Sequence, residues 1–156
     1  MTGLVETLKV IVSYRNARYM LKINDKITRI IGDSGTGKTT LSSLSSGLKK
    51  KAAKTKVLGL PDYDVISVVS VDNLKEFIEN AERKVIIIDE QYRDAVCQHD
   101  VEKAIQENKS CYFILIGRGR YAGLNIDIDS IYELEVSNGV NVLKPAFRWG
   151  MLRTGG

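Results

Sequence analysis

The run Ile27-Thr28-Arg29-Ile30-Ile31 leads directly into Gly32-Asp33-Ser34-Gly35-Thr36-Gly37-Lys38-Thr39. The second part fits the pattern G-x-x-x-x-G-K-[ST] at every fixed position. Its glycines let backbone N–H groups converge on phosphate oxygens with no Cβ in the way, and a helix leaving the loop aims the positive end of its dipole at the same point. Ile27 to Ile31 predicts a strand entering the loop. From Thr39 to Lys51, Leu41, Leu44 and Leu48 recur at i, i+3 and i+7 and predict the helix that leaves it. In such a loop Lys38 reaches the β- and γ-phosphates and Thr39 offers its hydroxyl to Mg²⁺, with Thr40 as the alternative ligand. Gly32 to Thr40 is therefore the expected binding segment for a nucleoside triphosphate.

A second stretch, Lys84-Val85-Ile86-Ile87-Ile88-Asp89-Glu90, carries four β-branched residues without alternation, the pattern of a strand buried on both faces, and ends in two acids. On its own it is equally well a buried strand closing in a solvated acidic turn. Taken with the glycine-rich loop upstream, it resembles the Walker B segment of the P-loop NTPases, whose Walker A segment the loop resembles. That resemblance implies that Asp89 orients Mg²⁺ through water and that Glu90 polarises the attacking water. Hydrolysis needs a group that sets water in line with the γ-phosphate, so Glu90 is the residue on which turnover rests.

Cys111-Tyr112-Phe113-Ile114-Leu115-Ile116-Gly117-Arg118-Gly119-Arg120 predicts a further strand ending in a basic, glycine-flanked loop. It resembles the sensor strand beside Walker B in many ATPases of the superfamily, which implies that Arg118, with Arg120 as the alternative, offsets charge developing at the γ-phosphate. The plainer account is a solvated loop that turns on its glycines.

At 156 residues with 44% hydrophobic content, the chain suits a single nucleotide-binding domain, 1–156, with a proper core. No run is long enough for a membrane span and no signal-peptide pattern opens the chain, so no membrane contact and a cytoplasmic location are expected. The two cysteines, Cys97 and Cys111, lack metal or disulfide spacing, and His99 is the sole histidine. Net charge is +4, with Lys49, Lys50, Lys51, Lys54 and Lys56 at and beyond the end of the loop's helix. Lysines there complement the helix dipole, and the charge admits a nucleic-acid partner without identifying one.

Strands are expected at 7–13 and 18–23, forming a hairpin around Tyr14-Arg15-Asn16-Ala17. The opening resembles ATP-binding cassette and recombination-type ATPases, which implies a base contact by Tyr14, Arg15 or Tyr19. Strands at 57–60 and 65–71, a helix at 72–83 capped by Asp72 and a helix at 96–108 follow. A closing hairpin, 130–137 with 140–147 across Asn138-Gly139, is expected at the sheet's far edge. The alternation predicts an α/β three-layer sandwich, the P-loop NTPase fold, with a mostly parallel central sheet plus N-terminal and C-terminal β-hairpins.

No [NT]-K-x-D motif appears, since Asn141-Val142-Leu143-Lys144 has the wrong spacing, so ATP is favoured over GTP. An L-S-G-G-Q signature is missing too. What remains resembles the small orphan ATP-binding proteins of bacterial mobile elements and phages. The leading expectation is an ATPase using ATP and Mg²⁺, with Lys38, Glu90 and Arg118 as its catalytic residues and an arginine from a neighbouring subunit as the alternative to Arg118. A small-molecule or nucleotide kinase is the second class, against which the shortage of lid arginines counts. An ATP-sensing module acting through a protein partner or as a homo-oligomer is the third.

Overall fold

The computed structural model describes residues 7–33 and 40–147. Each face of strand β6 (Lys84–Ile88) is buried: Val85 and Ile87 enter one apolar cluster, Ile86 and Ile88 another, all at 1% exposure or less. That accounts for a β-branched run without alternation. Each such side chain contributes about 1.5–3 kcal/mol relative to remaining exposed. The neighbouring strand β7 (Tyr112–Ile116) is built the same way, Tyr112, Ile114 and Ile116 on one face and Phe113 and Leu115 on the other.

The remaining strands are β1 (Leu8–Tyr14), β2 (Ala17–Ile23), β3 (Ile27–Asp33), β4 (Lys54–Leu58), β5 (Asp64–Ser67), β8 (Ile131–Ser137) and β9 (Val140–Pro145). All nine join one sheet in the order β4-β1-β2-β9-β8-β3-β7-β6-β5. The pairing is mixed: β1 runs antiparallel to β2 and β4, and β8 to β9, while the other neighbours are parallel. Four short helices accompany the sheet among the described residues: α1 (Thr40–Lys49), α2 (Leu74–Asn80), α3 (Arg93–Val96) and α4 (His99–Glu107).

The expected three-layer sandwich with a mostly parallel central sheet is incorrect. The chain forms a mixed, nearly closed, barrel-like sheet. Both hairpins form, and Asn138 and Gly139 take positive φ as a two-residue hairpin turn demands. The closing hairpin, however, is not an edge. It inserts between β2 and β3, with β9 pairing parallel to β2 through Tyr19↔Asn141 and Met20↔Val142. That insertion fuses the N-terminal hairpin to the parallel strands. Strand twist accumulated over nine strands then curls the sheet around α1.

The concave face holds one apolar cluster to which every strand contributes, with Leu44 and Leu48 of α1 at its centre. Gly47 permits the close fit, since a Cβ there would lie 2.5 Å from Tyr14 Cγ. A second helical layer has no room on that face. The convex face is covered by α2, α3 and α4 beside β5, β6 and β7. Buried Asn108 links these pieces, donating from Nδ2 to the carbonyls of Ile78 and Ala81 at 2.8 and 3.1 Å and accepting from the N–H groups of Ser110 and Cys111. The outer face of β4-β1-β2 alternates instead, the sign of a sheet with one face in water.

Two helices differ from expectation. Asp72 does not cap α2, which starts two residues later behind Asn73 in a left-handed conformation. Of the helix expected over 96–108, α4 covers His99–Glu107, while Val96 ends a separate short helix, α3, that starts at Arg93, with Cys97 and Gln98 between the two. Among the described residues no helix is long and apolar enough to cross a membrane.

Candidate functional site

β3, β7 and β6 are adjacent and parallel, with β7 in the middle, so Gly32, the loop after Ile116, and Asp89-Glu90 all emerge at one end of the sheet. Arg118, exposed on that loop, turns its guanidinium toward Gly32, where a Cβ would lie 3.2 Å from Nη2. The arginine thus rests on the backbone at the first glycine of the phosphate-type motif. Asp33 is the last residue of β3 and Thr40 the first of α1, their side chains outside the described set. Ser34, Gly35, Thr36, Gly37, Lys38 and Thr39 lie outside the described residues altogether.

Glu90 opens a 3-10 turn capped by Asp89, whose Oδ1 accepts the Glu90 N–H at 2.8 Å. The Glu90 carboxylate accepts the Gly119 N–H at 2.9 Å, and its aliphatic stem lies against Gly117, which has φ of 117°. Arg29, projecting from β3, donates to the Gly117 carbonyl and lies 5.1 Å over the Tyr121 ring. Arg93 donates to the Arg120 carbonyl at 3.1 Å, and Cys97 Sγ lies 3.5 Å from the same oxygen. Four side chains therefore staple residues 117 to 120, and Arg118 is presented from a held loop.

Sequence reasoning missed Arg29 and Arg93. A cation inside an otherwise apolar strand was the available signal for Arg29. Burial lowers its pKa, while Tyr121 and Glu90 favour its charged form.

Asp89 has a second partner: Oδ2 pairs with Lys49 Nζ at 2.8 Å, and that ammonium also lies 5.7 Å over the Tyr92 ring. Lys49 ends α1 and Thr40 begins it. At about 1.5 Å rise per residue, the two ends are roughly 14 Å apart. Asp89 is accordingly joined to the end of α1 remote from the loop. Arg120 is exposed and serves through its carbonyl. Tyr19 is fully buried, and Tyr14 packs on Gly47 beneath Arg15, so the hairpin aromatics belong to the core and not to a base site.

Among the described residues no three His, Cys, Asp or Glu side chains gather as a metal cluster. Mg²⁺ in phosphate sites takes only one or two carboxylates and completes its shell with water and phosphate oxygens, so the hard oxygen donors of Asp89 match its chemistry. No protein-family model, curated protein or solved structure matches the chain.

Tyr121, 6% exposed, has a buried hydroxyl without a hydrogen-bond partner among the described residues. An unpaired buried hydroxyl destabilises the fold, so Tyr121→Phe is expected to stabilise by about 1 kcal/mol. Thermal melting should show a rise of about 3 °C in Tm. Burial also pushes the Tyr121 pKa up from 10.0 to about 12. The unfolded chain therefore loses this proton first, and wild-type stability falls as pH climbs through that window, a component absent from Tyr121→Phe. A lower Tm in the variant would overturn this reading.

Proposed function

We propose that the chain binds ATP with Mg²⁺ at the Gly32–Thr40 segment and hydrolyses it. The observation that carries this reading is the placement of Arg118 against Gly32, with Glu90 held in the same loop, at the shared end of three parallel strands. Lys38 and the loop's N–H groups hold the phosphates. Thr39 and Asp89 hold Mg²⁺, which neutralises phosphate charge when bound. Glu90 polarises a water toward the γ-phosphate, and Arg118 offsets the negative charge that develops there.

One observation favours a second reading, a nucleotide sensor with negligible turnover. Both acids already have partners, Asp89 in Lys49 and Glu90 in the Gly119 N–H. Hydrolysis requires Asp89 to leave Lys49, and a partner protein or a second subunit is the natural agent of that change. A cytoplasmic location accords with either reading.

The test is calorimetry with Mg²⁺ and ATP alongside phosphate release, with Lys38→Ala as control. Wild type is expected to bind ATP and release phosphate, and Lys38→Ala to lose binding, since the lysine is the principal charge on the β- and γ-phosphates. Binding without release selects the sensor. No binding by wild type, or undiminished binding by Lys38→Ala, overturns the proposal.

A further inference from the structure

The outer face of β4-β1-β2 has a composition that folding does not demand. None of the three strands contains an acidic residue, yet Lys9, Arg18, Lys22, Lys54 and Lys56 all project from the exposed face. The register fixes their arrangement. Lys54, Ser13 and Arg18 form one row across the strands, Lys56, Ile11 and Met20 the next, and Leu58, Lys9 and Lys22 the third. With strands about 4.8 Å apart and same-face residues about 6.7 Å apart, five positive charges occupy roughly 10 by 13 Å. None of the five forms an ion pair among the described residues. Beyond β2 in the sheet order, acids first appear on β8, where Glu135 pairs with Lys144 at 3.8 Å, and past the β4 edge at Asp64 of β5, which pairs with Lys84 at 3.6 Å.

Edge protection explains part of this pattern. Lysines on an exposed edge strand discourage pairing with other chains, and β4 is an edge, so Lys54 and Lys56 have that use. Lys9, Arg18 and Lys22 lie on interior strands. Lys9 and Lys22 are directly opposite each other, a like-charge pairing that opposes folding. A polyanion lying across the rows would relieve that repulsion.

We infer that this face binds the phosphate backbone of nucleic acid. Each of the three rows carries at least one cation, so positive charge continues across the whole face and matches a ligand whose negative charge repeats at short intervals. The face has no aromatic side chain, because Tyr14 and Tyr19 point into the core, so base stacking contributes nothing and binding is indifferent to sequence. A membrane fits less well, since the apolar residues of the face are half-buried Ile11 and Met20 and a single exposed Leu58 at its edge, without the exposed aromatic anchors of interfacial proteins. The inference is independent of the nucleotide site.

The test is fluorescence anisotropy with labelled single-stranded oligo(dT) of about 20 nucleotides, a length that spans the face. Five phosphate contacts predict an affinity drop of about 100-fold between roughly 50 and 200 mM salt. Lys9→Glu with Lys22→Glu is expected to weaken binding at the lower salt by about tenfold or more and to reduce the slope of log affinity against log salt by about 1.4. Lys103→Glu with Lys109→Glu makes the same change in net charge at exposed positions near the α4 helix and is expected to alter affinity by less than about threefold. Circular dichroism establishes folding, and should the glutamate pair unfold, Lys9→Gln with Lys22→Gln takes its place. Equal losses in the two pairs, no binding by wild type, or binding to phosphatidylserine vesicles without binding to the oligonucleotide would each overturn the inference.

Discussion

Glu90→Gln is expected to bind ATP as wild type does and to release phosphate at least about tenfold more slowly, the scale of a lost water-positioning group. The substitution suits the site because glutamine keeps the volume that lies against Gly117 and an oxygen able to accept the Gly119 N–H at the observed 2.9 Å. Loop geometry, and with it the approach of Arg118 to Gly32, is preserved while the negative charge is removed. A fall in turnover then reports the charge and not a displaced loop. Single-turnover phosphate release with calorimetry on the same samples makes the measurement. Unchanged turnover would sink the hydrolytic role of Glu90 and assign the positioning of water to another group. Removing the charge also withdraws electrostatic support from half-buried Arg29, so a small loss of thermal stability accompanies the kinetic effect.

Much of the local structure was legible in the sequence because it rests on local physics. The strand at Val85 to Ile88 followed from four β-branched residues that suit burial on both faces, and the closing hairpin from Asn138-Gly139, whose backbone tolerates the turn. The sheet was not legible as a whole. Nothing in the Val140 to Pro145 strand says that it pairs parallel with Ala17 to Ile23, a contact across more than a hundred residues, and that pairing converts an expected edge into the join that curls the sheet. The break between α3 and α4 has no Gly or Pro to announce it. It follows from the docking of Arg93 and Cys97 on the Arg120 carbonyl, a tertiary effect.

The site divides along the same line. The expectations for Asp89, Glu90 and Arg118 rest on a resemblance to Walker B and to a sensor strand, and Glu90, Arg118 and Gly32 are drawn to one loop cluster. What sequence could not supply was the partner of each: Lys49 for Asp89, the Gly119 N–H for Glu90, and Arg29 beneath Gly117. The first depends on where α1 sits against the sheet and the other two on the pairing of β6, β7 and β3, long-range arrangements that no local pattern encodes.

Gly117→Ala is expected to lower stability by about 3 kcal/mol. The backbone at Gly117 has φ of 117°, a conformation that side chains with a Cβ adopt only under strain of about 1–3 kcal/mol. The added Cβ would also lie 2.5 Å from Cβ and Cδ of Glu90, so the clash involves the base of that side chain and not merely a flexible tip. Either the strand end shifts or Glu90 swings away and releases the Gly119 N–H, costing about a further 1 kcal/mol. At about 3 °C per kcal/mol in a chain of this size, thermal unfolding should shift down by about 10 °C. The consequence reaches beyond stability. Because Glu90, Arg29 and Arg118 are all positioned by residues 117 to 119, the folded fraction of Gly117→Ala should lose phosphate release while retaining much of its ATP affinity, which rests on the Gly32–Thr40 segment. A variant that melts within about 2 °C of wild type would show that the loop relaxes without Glu90, and that the glycine is not what sets the arginine against the motif.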